Sequence, residues 1–131
     1  MIGLDTNVLL RFLIKDDEVQ GQKASRAIRQ AAAGAEPVFI SLVVLCEAVW
    51  VLESAYGYRK AQLAQIVGEL LATGGFEVEQ RDVVREALDD YGSSNADFSD
   101  CLVGRVNVFH GCRQSLTFDR SLKALDAFRV L

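Results

Sequence analysis

The sequence predicts an α/β fold with a mostly parallel sheet of about five strands, and three observations carry that reading. Short apolar runs of strand length recur at residues 2–5, 38–40, 76–79, 115–118 and 128–131. Helical sequence fills the intervals, and parallel strands require that alternation because each is reached through a crossover. The first and fourth runs each end in an aspartate, Asp5 and Asp119, that hands over to helical sequence. No repeat, low-complexity tract or Pro/Gly/Ser-rich linker divides the 131 residues, so one domain spanning residues 1–131 is expected.

The first strand, with Ile2 and Leu4, gives way at Asp5-Thr6 to a helix carrying Val8, Leu9 and Leu10. Residues 19–33 are rich in Ala and place Ala24, Ala27, Ile28 and Ala31 on one face, which fits a closely packed peripheral helix. The lone Pro37 precedes the second strand, where a missing N–H is tolerated. Residues 41–55 are apolar nearly all round, which predicts a buried helix. Leu63, Ile66, Val67, Leu70 and Leu71 follow a helical stripe that Gly74-Gly75 stops, and Val83, Val84, Ala87, Leu88 and Tyr91 form a second. Over residues 96–109, Phe98, Leu102, Val106 and Phe109 make one face, and Asp97, Asp100, Gly104 and Asn107 the other. Glycine in mid-helix costs about 1 kcal/mol relative to alanine, so Gly104 predicts the close approach of another element.

Composition narrows the setting. The longest apolar stretch, residues 38–52, is broken by Ser41, Cys46 and Glu47 and falls short of a membrane helix. The N-terminus runs from Met1 into a strand without a basic leader, so the expected location is the cytoplasm, with no membrane association. Cys46, Cys101 and Cys112 form no C-x-x-C pair, which argues against a zinc site or disulfide framework and for buried free thiols. His110 stands just before Gly111 at a helix end, where it complements the helix dipole. A net charge of −4 opposes nucleic-acid binding at first sight. If the clustered acids hold cations, however, Arg11, Lys15, Arg59, Lys60, Arg105, Arg113 and Arg120 remain for a phosphate backbone.

Five carboxylates stand at positions that packing alone does not explain: Asp5, Glu47, Asp97, Asp100 and Asp119. Asp5 and Asp119 follow strands, a place that suits both a helix N-cap and a ligand site in an open parallel sheet. Glu47 has Val43, Val44, Trp50 and Val51 around it on the helix, so a buried position needs a cation or a hydrogen-bond donor. Asp97 and Asp100, one turn apart, repel each other on an isolated helix. Oxygen donors of this kind select a hard ion such as Mg²⁺ or Mn²⁺ over Zn²⁺.

With those residues placed, the sequence resembles the PIN-domain family, and within it the VapC-type ribonuclease toxins of bacterial type II toxin–antitoxin pairs. Leu4-Asp5-Thr6-Asn7-Val8-Leu9-Leu10-Arg11 looks like the first acidic motif and Ser41 through Glu47 like the second. Asn95-Ala96-Asp97-Phe98-Ser99-Asp100-Cys101-Leu102 looks like the third and Leu116-Thr117-Phe118-Asp119 like the last. The resemblance spans essentially the whole chain. It implies a three-layer, Rossmann-like α/β/α fold with strand order 3-2-1-4-5, in which Asp5 and Asp119 meet where the order reverses. It also implies Mg²⁺- or Mn²⁺-dependent hydrolysis of RNA, a homodimer, and a cognate antitoxin as partner. Carried over by position, Asp5 and Asp100 become metal ligands, Glu47 a ligand or water-orienting base, and Asp119 a second-metal or outer acid. Asp97 becomes an additional, water-bridged acid, while Asn7, Ser41 and Thr117 support the site through hydrogen bonds.

Two rival readings make different demands on the same residues. A phosphatase of the haloacid-dehalogenase type would use Asp5 as nucleophile and a second Asp two positions on, where this chain has Asn7. A non-catalytic PIN-like binding module would not need an acid at every motif position.

Overall fold

The computed structural model describes residues 1–131. In chain order the elements are β1 (Ile2–Gly3), α1 (Thr6–Leu13), α2 (Glu18–Ala33), β2 (Val38–Ile40), α3 (Leu42–Ser54) and α4 (Lys60–Ala72). They continue with β3 (Phe76–Val78), α5 (Arg81–Gly92), α6 (Phe98–Phe109), β4 (Ser115–Thr117), a 3₁₀ turn (Arg120–Leu122) and β5 (Phe128–Val130). All ladders are parallel, so the fold is mixed α/β as expected.

The strands form two groups, β3-β2-β1 and β4-β5, each in the expected order, with no hydrogen-bonded ladder joining β1 to β4. β1 is only two residues long and is shorter than expected, because Asp5 already serves as the N-cap of α1. Its backbone donors are directed at the other neighbour: Ile2 N–H donates to Pro37 O at 2.9 Å and Leu4 N–H to Phe39 O at 3.1 Å.

Local chemistry explains where the helices begin. Asp5 accepts from Val8 N–H at 2.9 Å, Asp17 from Gln20 N–H at 2.8 Å and Ser41 from Val44 N–H at 3.2 Å. Each satisfies a donor that the first helical turn leaves unpaired. At the far end of α6, Gly111 adopts φ +92 and Cys112 N–H donates to Asn107 O at 2.9 Å, a left-handed stop that follows His110 as expected.

The core is one cluster of 25 buried residues, in which Leu9, Ile40, Leu45, Leu52, Leu63, Val67, Val84 and Leu122 are almost wholly enclosed. Three expectations need correction. The apolar helix α3 is not buried all round: Leu45, Ala48, Val49 and Leu52 face the core, but Val43 is 77% exposed and Trp50 67%. α1, α4 and α6 pack against α3 and leave one side uncovered, and Glu47 is exposed on that side. Among the cysteines only Cys101 is buried, while Cys46 is half-buried and Cys112 exposed beyond the end of α6. Ala27 on α2 and Phe109, the last residue of α6, are also exposed.

Gly104 fulfils its expectation. A Cβ built there would stand 2.7 Å from Cε2 of the buried Phe128 ring and 3.1 Å from the Ala127 Cβ. The residue lets α6 sit directly on the β5 segment. Overpacking of this kind costs about 1–3 kcal/mol, which exceeds the gain of about 1 kcal/mol in helix propensity from Gly to Ala. Gly104→Ala is therefore expected to lower the urea midpoint, and Phe128→Leu in the same chain to restore part of the loss. A midpoint at or above the wild-type value for Gly104→Ala alone would contradict the close approach.

Candidate active site

Because the strands run parallel, residues that follow them collect at one end of each group. Asp5 follows β1, Ser41 follows β2 and Glu79 follows β3, while Asp119 follows β4. Glu79 did not emerge from the sequence, yet its Oε1 accepts the Leu42 N–H at 2.9 Å across the β2–α3 junction. With Ser41 it fixes the start of the helix that carries Glu47. The signal was present in the alternation Phe76-Glu77-Val78-Glu79, which sets a carboxylate just past a strand whose apolar residues face inward.

Asp5 and Asp119 each use one carboxylate oxygen as a cap. Asp119 Oδ1 accepts the Ser121 N–H at 2.9 Å, and the Asp119 N–H donates to Thr117 Oγ1 at 3.0 Å, so Thr117 holds this acid's backbone in place. The Ser121 hydroxyl and backbone N–H keep the Asp119 carboxyl below the usual range for an aspartate. Asp97 occupies the N-cap position of α6 but makes no capping hydrogen bond through its side chain. Its carboxylate caps nothing, unlike those of the strand-to-helix aspartates Asp5 and Asp119.

Asp100, one turn into α6, is half-buried. Burial pushes its carboxyl above the usual range, and the negative charges of Asp97 and Asp119 push it further. The repulsion is felt at Asp100 because it is the more enclosed of these acids. No Lys or Arg forms an ion pair with Asp5, Glu47, Asp97, Asp100 or Asp119; the ion pairs of the chain lie at Glu36, Asp16, Glu86 and Asp90.

The structure thus brings the charges of Asp97, Asp100 and Asp119 into one field. It does not draw any three acids into a closed ligand cluster. Glu47 lies in a groove of about 660 Å³ between α3 and α6, together with Val43, Trp50, Ser99, Val103 and Asn107. Asn7 faces a different groove, between α1 and α2. Ser41 acts on the α3 terminus rather than on an acid.

The approach to Asp97 and Asp100 is firmly held. Arg105 of α6 makes a two-pronged ion pair with Asp90 of α5, at 2.7 and 2.9 Å. Lys60 donates to Ser94 O and lies 4.4 Å from the Tyr91 ring centre, while Ser94 Oγ donates to Asp90 O at 2.6 Å. On the other side of α6, Asn107 donates to Ser115 Oγ at 2.8 Å, which ties the helix to β4 and hence to the strand that delivers Asp119. Three of the cations reserved for phosphate by the sequence are therefore engaged within the chain: Lys60 and Arg105 here, and Arg11 at Asp16. The Cys101 thiol is pushed up to about 11 by burial, which makes it a packing residue and not a nucleophile.

Residues 2–127 match the model of the PIN domain. The chain belongs to the PIN-domain family. It is also 29% identical over 122 residues to a VapC ribonuclease of Aquifex aeolicus (strain VF5), across 93% of this chain and 90% of that protein. In this PIN domain the donor set is anionic, made of oxygen and without internal cations, which fits a hard divalent ion.

The raised proton affinity of Asp100 has a definite sign. A carboxyl whose folded affinity for protons is raised costs stability once ionised, so the cost is present at neutral pH and relieved as pH falls through its titration. In chelator at pH 7, Asp100→Asn is expected to melt above the wild type, with the difference closing as pH approaches the ordinary aspartate range. Added Mg²⁺ should raise the wild-type melting temperature more than that of the variant. A variant that melts below the wild type at neutral pH in chelator would refute this account of Asp100.

Proposed function

We propose that this chain is a single-domain, Mg²⁺- or Mn²⁺-dependent endoribonuclease of the VapC type, acting in the cytoplasm as the toxin of a type II toxin–antitoxin pair. Its substrate is RNA, and its protein partners are a cognate antitoxin and a second copy of itself. The observation that carries the reading is the half-buried Asp100, loaded by the charges of Asp97 and Asp119 and without a cationic partner, in a chain of the PIN family. Such a group is stabilised by a bound divalent ion.

Asp5 and Asp100 are the proposed direct ligands, with Glu47 as a further ligand or as the base that orients and deprotonates water. Asp119 offers the oxygen not used for capping, to a second ion or to water around the first. Asp97, whose carboxylate caps nothing, takes a water-bridged place beside Asp100. When bound, the ion lowers the pKa of water and offsets charge on the phosphoryl and leaving oxygens. The chain's own residues supply position: Thr117 holds Asp119, and Ser41 and Glu79 hold the start of α3, whereas Asn7 lines the groove between α1 and α2.

The activity test uses purified, antitoxin-free protein with RNA and Mg²⁺ or Mn²⁺. Asp5→Asn and Asp100→Asn are expected to lower kcat at least a hundredfold with unchanged circular dichroism, a loss of the size seen when a transition-state contact is removed. Asp97→Asn should lose about tenfold, as for a group one shell out from the ion. Chelator should abolish cleavage and either metal restore it. Full activity in both Asp5→Asn and Asp100→Asn, or cleavage that survives the chelator, would overturn the reading.

Self-association is supported by the exposed Val43, Trp50 and Val103 along the groove between α3 and α6, an apolar surface of the kind that partners cover. Trp50→Glu is expected to shift the chain from dimer to monomer in sedimentation equilibrium at micromolar concentration. A wild-type chain that sediments as a monomer throughout that range would remove the homodimer from the proposal.

A further inference from the structure

Beside Asp119 lies a groove of about 470 Å³ bounded by the 3₁₀ turn and β5. Arg120, Lys123 and Arg129 line it together with Phe128, Val130 and Leu131, and no acid does. All three cations are exposed, and none takes part in an ion pair. That is a concentration of free cations in a chain with 18 acids against 14 Lys and Arg, two of which, Arg11 and Arg105, are paired internally. Sequence reading singled out Arg120 but neither Lys123 nor Arg129, because only the fold brings β5 beside the turn.

An exposed aromatic residue stands two positions before Arg120 of the groove. Phe118 is 83% exposed and immediately precedes Asp119. In the parallel β4–β5 register Leu116 lies opposite Arg129, and both are exposed, while Phe118 follows directly on the end of β4. Leu131 N–H donates to Thr117 O at 2.8 Å, so the end of β5 stays against the segment that carries Phe118. Asp119 caps the 3₁₀ turn through Ser121 N–H, which ties the turn bearing Arg120 to the acid itself.

We propose that this groove carries the phosphodiester backbone of a single-stranded RNA segment next to Asp119, and that Phe118 is the platform on which an unpaired base stacks. The inference rests on the ribonuclease reading and adds the path of the strand to it. Charge decides the occupant. A second copy of the chain would bring three like-charged cations against each other, whereas phosphates meet them with the opposite sign. An exposed aromatic ring beside a basic groove is the pairing that single-stranded nucleic acids use, since every base presents a π face.

The test measures binding of an unstructured, fluorescein-labelled RNA by anisotropy in an Asp100→Asn background with Mg²⁺, and cleavage in the wild-type background. Neutralising the groove with Arg120→Gln, Lys123→Gln and Arg129→Gln together is expected to weaken binding at least tenfold at low salt. The slope of log affinity against log salt should fall by about 2, from roughly 0.7 per phosphate contact on a single strand. In cleavage, KM should rise with kcat within about twofold. Phe118→Ala should weaken binding by about 5- to 100-fold and Phe118→Trp should recover it. A control that removes the same charge elsewhere, Arg26→Gln, Arg29→Gln and Arg85→Gln, should bind as the parent does.

Groove variants that keep the parent's affinity and salt slope overturn the inference, as does an equal loss in the control. Groove variants that alter sedimentation but not RNA binding also overturn it, in favour of a protein interface. The two readings fail separately. Chelator-sensitive cleavage that the groove variants leave untouched removes the groove and keeps the nuclease, whereas absent wild-type cleavage with groove-dependent binding does the reverse. No binding by the parent removes the groove outright.

Discussion

The placement of α6 is the constraint on which the rest of the structure depends. Asp97 and Asp100 stand at its start, and three independent contacts fix the helix there. The Arg105–Asp90 pair binds it to α5, the Asn107–Ser115 hydrogen bond binds it to β4, and Gly104 lets the Phe128 ring come in against its backbone. The first two are polar contacts with defined directions and the third is steric, so together they limit rotation and translation of the helix. The like charges at its N-terminal end then cannot separate by moving the helix away. A scaffold that holds acids together against their own repulsion keeps electrostatic free energy available for a cation.

The capping role of the strand-end aspartates is compatible with the ligand role proposed for them. A cap needs one oxygen aimed at an N–H two or three residues on, as Asp5 and Asp119 provide. The second oxygen of each takes no part in the cap. The same hydrogen bond that starts the helix thus orients the carboxylate. Asp97 departs from this pattern because its side chain caps nothing, so its orientation depends on neighbours and on whatever cation it meets.

Much of this was legible in the sequence. The order of elements and the handover at Asp5 and Asp119 could be read because period and capping chemistry are local properties. The penalty at Gly104 pointed correctly to a close contact, though not to Phe128 as its source. What failed depended on which neighbours arrive. The apolar wheel of α3 implied burial of Glu47, but the helices packed on α3 leave the side with Val43, Glu47 and Trp50 open. Glu79 went unnoticed because its partner, the Leu42 N–H, is 37 positions away in sequence. The cations were misjudged for the same reason: Lys60 and Arg105 are free on paper and engaged in the fold.

Net charge proves a poor guide to partners in this chain because the charges are segregated. The acids that make it −4 include a group crowded at α6 and the strand ends, while Arg120, Lys123 and Arg129 gather within a few residues of Asp119 or on the strand beside it. A polyanion approaching the acidic end would be repelled if the average charge governed the encounter. It meets instead a local field whose range at physiological salt is about 8 Å, in which Arg120, Lys123 and Arg129 stand beside Asp119 and offset its charge. A divalent ion at Asp100 would reverse the sign of the remaining local repulsion, and the basic groove and the acidic centre would then attract the same strand at adjacent points.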